Sequence, residues 1–228
     1  MLLANDISNL SLKTLFKFTN KKNLNMNKLS INQLHLIEEN RDICENKYFN
    51  DLLLALMKVD SKYLLWPYGI NTQMCERVFA YELYHQWRIV SEYYQYENLI
   101  INGEIRKDGS IYRRVNNTVV YPDLILHEQQ NNINQQIIAC EIKTVKSIES
   151  NNGKQKVLKD LIKLGIYVED LQYETCVFIQ IKDQDNIIEK VIPYLKKRKN
   201  AISNLSKIYY IIKDDDDISY QNLELLLA

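Results

Sequence analysis

"VVYPDLILHEQQNNINQQIIACEIKTVKS", residues 119–147, decides how this chain is read. Two apolar runs, "YPDLILH" and "QQIIACEIK", flank a polar Asn/Gln-rich break, the pattern of two strands paired antiparallel. Each run carries charge where apolar residues are expected: Asp123 inside the first, Glu141 and Lys143 at the end of the second. Strand side chains alternate between faces, so Glu141 and Lys143 project together and Asp123 shares a face with Ile125 and His127. Paired as a hairpin, one face can bring Asp123 beside Glu141, with Lys143 one step along. Burying charge is costly, so these groups either face water or have been gathered for a purpose.

Outward from this stretch the periodicity alternates between helix and strand. "CERVFAYELYHQWRIVSEYY" predicts a helix and "NLIINGEI" a strand before the hairpin. After it come the amphipathic helix "KQKVLKDLIKLGIYVEDL", the strand "ETCVFIQI", the helix "NIIEKVIPYLKKRKNAI" and a last strand, "KIYYIIK". The fold class is therefore α/β (α+β), with a mixed central sheet flanked by helices in the order αβββαβ(αβ). Residues 1–70 read as a helical N-terminal extension and 71–228 as the main domain, divided at the Pro- and Gly-bearing "WPYGIN". Within the extension "ISNLSLKTLFKF" and "YFNDLLLALMKV" are helical. The polar "KKNLNMNKLSINQ" is a connection, with Ser30 capping the helix that follows.

At 228 residues the chain can bury one sizeable core. Its 29 basic and 29 acidic side chains cancel, which removes the argument from a globally basic protein but leaves room for a local basic groove. The acidic run Asp214–Asp217 makes the remainder slightly basic. Cys44, Cys75, Cys140 and Cys176 have no CxxC spacing, so neither a zinc site nor a disulfide framework is expected. The first residues lack the basic start of a signal peptide, and the longest apolar run, "LLLALM", is far short of a membrane span. A reducing cytoplasm is the expected location, with no membrane partner.

Two carboxylates held side by side repel unless a proton or a cation sits between them. Mg²⁺ takes oxygen ligands, often only one or two from carboxylates, and keeps several waters. A neighbouring lysine can orient or deprotonate an attacking water, or stabilise charge on a phosphoryl oxygen. Asp123 after Pro122, then Glu141-Ile142-Lys143 eighteen residues on, resembles the PD-(D/E)XK nuclease motif. The element order is also similar to the restriction-endonuclease-like core of that superfamily, over roughly residues 75–182. The resemblance implies a metal-dependent nuclease that hydrolyses phosphodiester bonds, chiefly in DNA. Asp123 and Glu141 would bind Mg²⁺ (or Mn²⁺) and Lys143 would assist the hydrolytic water.

Many members of that superfamily add a glutamate from the first helix, and here Glu76 and Glu82 both qualify. At about 100° per residue Phe79, Ala80, Leu83, Trp87 and Val90 form one face with Glu76 near its centre; Glu82 falls about 120° from Glu76. Glu76 is favoured as catalytic and metal-binding residue, with Glu82 as the alternative. Lys156, Lys159 and Lys163 make one stripe on the second helix, with Lys146 just before it, and Arg113 and Arg114 lie between the first two strands. These would contact phosphates, which positions nucleic acid without reading its sequence. Cutting both strands of a duplex is often done by two copies, so a homodimer is compatible with this reading.

Blander readings stand beside these. Asp123 can face water at a strand edge, Glu141 and Lys143 can be a solvated pair, and Glu76 can be a plain helix-start acid. His127 reads as a satisfied histidine, His85 as solvated, and Tyr93, Tyr94 and Tyr96 as packing on the sheet. From another functional class, the chain would be a catalytically inactive nuclease-fold module for nucleic-acid binding or protein assembly.

Overall fold

A computed structural model describes residues 18–21, 24–31, 34–39, 41, 46–64, 66–68, 71–73, 76–103, 122–128, 135–144, 147–148, 152–182 and 187–228. Its strands are β1 (Phe18–Lys21), β2 (Leu24–Ser30), β3 (Trp66–Tyr68), β4 (Asn71–Gln73), β5 (Leu99–Gly103), β6 (Leu124–Glu128), β7 (Gln136–Thr144), β8 (Thr175–Ile181), β9 (Ile208–Asp214) and β10 (Asp217–Asn222). The helices are α1 (Leu34–Glu39), α2 (Lys47–Lys58), α3 (Glu76–Tyr93), α4 (Gly153–Asp170), α5 (Ile187–Lys196) and α6 (Leu223–Leu226).

Eight strands form one mixed sheet in the order β1-β2-β10-β9-β8-β7-β6-β5, and β3 pairs with β4 apart from it. At its centre β7, β8 and β9 run parallel, joined by crossovers through α4 and α5. Such strands are covered on both faces and need unbroken apolar sequence. "TCVFIQI" is buried at every position and "QIIACEIKT" at all but Lys143, although Gln136, Glu141, Thr144, Thr175 and Gln180 are polar. On one face α2 and α3 bring Leu52, Leu56, Phe79, Leu83 and Trp87 against Ile138, Cys140, Ile142, Ile179 and Ile211. On the other, α4 and α5 bring Val157, Leu161, Leu164, Val191 and Leu195 against Ala139, Cys176, Phe178, Tyr210 and Ile212. The result is helix, sheet and helix in three layers. Among the described residues no helix is long and apolar enough to cross a membrane.

Three sequence expectations need correction. "LNMNKLS" is no connection: it is β2, paired with β10 in the main sheet, and Ser30 ends that strand instead of capping a helix. Met26 and Leu29 are both buried but lie on opposite faces of the sheet, which spoils the regular alternation that would have announced a strand. Residues 24–58 thus share the main core through Leu29 and α2, so the boundary at residue 70 separates no second core. The helix expected over 7–18 falls outside the described residues except Phe18, which opens β1.

The second correction lies at the other end. "KIYYIIK" is not the last strand, because β10 returns antiparallel to it. The acidic run makes the turn between them. Buried Lys213 donates from Nζ to the carbonyls of Asp214 and Asp215, and Lys182 Nζ lies 2.6 Å from Asp215 Oδ1. Burial lowers the Lys213 pKa against the pull of the surrounding aspartates. Tyr93 is also corrected: it is 78% exposed, while Tyr94 and Tyr96 pack against the core. Tyr96 and Arg41 both bond Asp51, a buried acid on α2.

Candidate functional site

The hairpin pairing of β6 and β7 sets the site. Their register matches Leu124 with Cys140, Ile125 with Ala139 and Leu126 with Ile138. Just before β6 begins, Asp123 N donates to Cys140 O at 3.0 Å, and the Asp123 carboxylate is close enough to Glu141 for the two charges to interact. There the strands part. β7 runs on to Thr144 without a β6 partner, and Asp123 fills the gap with its side chain, Oδ2 accepting from Ile142 N at 2.7 Å.

Lys143 projects beyond Glu141 on the same face. Its Nζ donates to Ile142 O at 3.0 Å and stands 3.8 Å from Glu76 Oε2 and 3.7 Å from Asp160 Oδ2. Glu76 reaches across from the first turn of α3, where Oε1 accepts from Thr144 N at 3.1 Å and Ser147 Oγ at 2.7 Å. These bonds pin α3 to the end of β7. Glu82, the alternative, bonds Gln86 Nε2 one turn along its own helix at 2.7 Å and takes no part in this cluster.

Sequence reasoning missed two members and misplaced a third. Lys163 does not share an exposed stripe with Lys156 and Lys159. Its Nζ lies 2.8 Å from Glu141 Oε1 and 3.4 Å from Asp160 Oδ1, so its charge is spent inside the cluster and not offered to a phosphate. Tyr167 OH donates to the same Glu141 oxygen at 3.1 Å. Asp160 links the two lysines. The signal was present: Asp160 and Tyr167 interrupt the apolar stripe of Val157, Leu161, Leu164 and Val168, where α4 meets the sheet. Lys156 and Lys159 remain exposed on α4, and Lys146, Arg113 and Arg114 lie outside the described residues. His127 is buried and bonded to Asn102 at 2.9 Å, the satisfied histidine expected.

Charge and burial conflict here. Burial drives the Glu141 carboxyl up from its ordinary 4.5 to about 7, opposed by Lys163 and reinforced by Asp123 and Asp160. Asp123 is raised for the same first reason, partly offset by the Ile142 N–H and by Lys143. Burial alone would lower the Lys143 ammonium, but Asp160, Glu76, Asp123 and Glu141 outweigh it and its pKa is raised. Lys143 is therefore a fixed cation near neutral pH.

A measurable consequence follows for Glu141. A carboxyl whose folded pKa exceeds its unfolded value stabilises the fold below the unfolded value and loses that contribution as pH rises through the folded one. Glu141→Gln cannot ionise. Its stability relative to the parent should therefore grow between about pH 4 and pH 8, by up to about 3 kcal/mol for a shift of this size. Urea denaturation in EDTA at several pH values reads it, and a difference that stays flat with pH contradicts the assignment.

A cavity of about 810 Å³ opens beside the cluster, between the start of α3 and the ends of β5, β6 and β7. Glu76, Arg77, Tyr81, Tyr84, Asp123 and Thr144 are among its walls. Gly103 is there too; a Cβ on it would stand 3.3 Å from Asp123 O, so a small residue keeps that wall open. Among the described residues no group of three or more His, Cys, Asp or Glu side chains is gathered as a metal set. What the site offers is the neighbouring carboxylates of Asp123 and Glu141 where β6 and β7 part. These hard oxygen donors suit a cation that needs only one or two carboxylates. Glu76 joins this group through Lys143, not as a third carboxylate at the same point. No family model, curated protein or solved structure matches the chain.

Proposed function

We propose that this chain is a metal-dependent nuclease of the PD-(D/E)XK, restriction-endonuclease-like kind, hydrolysing phosphodiester bonds in nucleic acid, DNA foremost. The observation that supports it most is the end of the β6–β7 pairing, where the Asp123 carboxylate accepts from Ile142 N, within electrostatic reach of Glu141, and Lys143 lies two residues beyond Glu141 on the same face. Asp123 and Glu141 would hold Mg²⁺ or Mn²⁺, with waters completing its shell. Bound there, such a cation supplies Lewis acidity at a phosphoryl oxygen and lowers the pKa of a coordinated water.

The chain's own groups do the rest. Lys143 carries its charge at the mouth of the parted strands, where an ammonium stabilises negative charge building on a phosphoryl oxygen. Its raised pKa favours that role over proton abstraction. Glu76 and Asp160 stand on either side of Lys143 and hold it in place. Tyr167 and Lys163 fix the Glu141 carboxylate from behind. Buried fixed dipoles and charges of this kind need no reorganisation during the reaction.

One observation favours the competing reading, a nuclease-fold module without chemistry. Glu76, Asp160 and Glu141 are already each paired with Lys143 or Lys163, so the cluster can persist without a cation. Incubation with supercoiled plasmid, single-stranded and branched DNA, and RNA separates the two. Cleavage in millimolar Mg²⁺ or Mn²⁺ that EDTA abolishes is expected. Binding without cleavage of any of these substrates would transfer the assignment to the module.

A further inference from the structure

The cavity wall formed by α3 has its own chemistry. Arg77, Tyr81, Tyr84 and Arg88 recur at i, i+4, i+7 and i+11, one stripe along the helix and distinct from the buried stripe of Phe79, Leu83, Trp87 and Val90. Arg77, Tyr81 and Tyr84 line the cavity. Tyr81 is 63% exposed, a large ring left in solvent within the same cavity as Asp123. Tyr84 is half-buried, and its hydroxyl accepts from Arg88 Nη1 at 3.4 Å. Arg88 also pairs with Glu92 at 2.9 Å, an exposed contact one turn along that holds it only weakly. Between the first and last members the helix rises about 16 Å, room for a few nucleotides.

Cation, aromatic, aromatic, cation is the arrangement that serves an unpaired strand: bases stack on ring faces and arginines meet the flanking phosphates. Intact duplex keeps its base faces inside the stack and offers the grooves only edges. Exposed rings beside the parted strands are therefore of use chiefly to bases that are already unpaired. We infer that the α3 stripe of Arg77, Tyr81, Tyr84 and Arg88 is a binding track for single-stranded or locally unpaired nucleic acid, leading the strand to Asp123. The consequence for cleavage rests on the nuclease reading; the binding itself does not.

Fluorescence anisotropy in EDTA, with a labelled oligothymidylate and a duplex of equal length, tests the track without any cleavage. The single strand should bind at least tenfold more tightly than the duplex. Tyr81→Ala should cost the single strand about tenfold, the size of one lost stacking contact, while Tyr81→Phe keeps the ring and the affinity. Arg77→Ala should weaken binding and flatten its dependence on salt. Because Tyr81 is exposed, its removal leaves the core untouched. Equal affinity for both forms, or an unchanged single-strand affinity in Tyr81→Ala, overturns the inference even if plasmid is cut. Tyr81-dependent binding by a chain that cuts nothing upholds the track and removes the nuclease reading instead.

Discussion

Lys143→Ala is expected to lower metal-dependent cleavage by about a thousandfold or more, the scale on which a positioned charge or proton-handling group acts. The ammonium is fixed by the Ile142 carbonyl and by carboxylates from two helices on opposite faces of the sheet, so no neighbour replaces it when it is cut back. Lys163 already carries Glu141 and Asp160. Asp123→Asn is the companion variant. It keeps an oxygen to accept from Ile142 N–H, preserving the strand end, while removing the charge a cation would need. Both variants should retain the parent's circular dichroism and its oligonucleotide binding in EDTA. Single-turnover rates within tenfold of the parent in both would end the nuclease assignment.

The second large effect concerns the fold. Asp51 is 1% exposed on α2, within the run "DLLLALM". Arg41 reaches it with Nε at 2.6 Å and Nη2 at 2.9 Å, Tyr96 OH donates at 2.5 Å, and the guanidinium stacks on Tyr94 with its central carbon 3.9 Å from the ring centre. This network ties the segment before α2 to the residues after α3. Removing only the acid takes the shared carboxylate from a largely buried guanidinium and a phenol, which costs about 3 kcal/mol. For a chain of this length that lowers the melting temperature by about 10 °C. Asp51→Leu combined with Arg41→Met removes both charges and should recover most of the loss, because a buried pair is often replaced by apolar residues at little cost. A double variant no more stable than Asp51→Ala would show that the network, not the stranded charge, carries the effect.

Much of the core was legible because its strands and helices announce themselves locally. "TCVFIQI" and "IIACEIK" are mostly apolar runs, and Phe79, Leu83, Trp87 and Val90 repeat at helical spacing, with Glu76 on the same side. The strands β2 and β10 were not legible. β2 buries only Met26 and Leu29 among its described side chains, one on each face, and β10 follows four aspartates that read as a polar end. Such a strand is defined by the partners it pairs with, and β2 meets β10 from almost the whole length of the chain away.

The order of elements, the faces of their side chains and the candidacy of Asp123, Glu141, Lys143 and Glu76 were set by the sequence itself, since periods of two and 3.6 residues assign a side chain to a face before any fold exists. Which groups meet was decided only in three dimensions. Asp160, Lys163 and Tyr167 look like one more solvated or apolar helix face until α4 is laid on β7. There, burial next to Glu141 draws an ammonium and a phenol onto its carboxylate, because a charge taken out of water must find its partner in whatever packs against it.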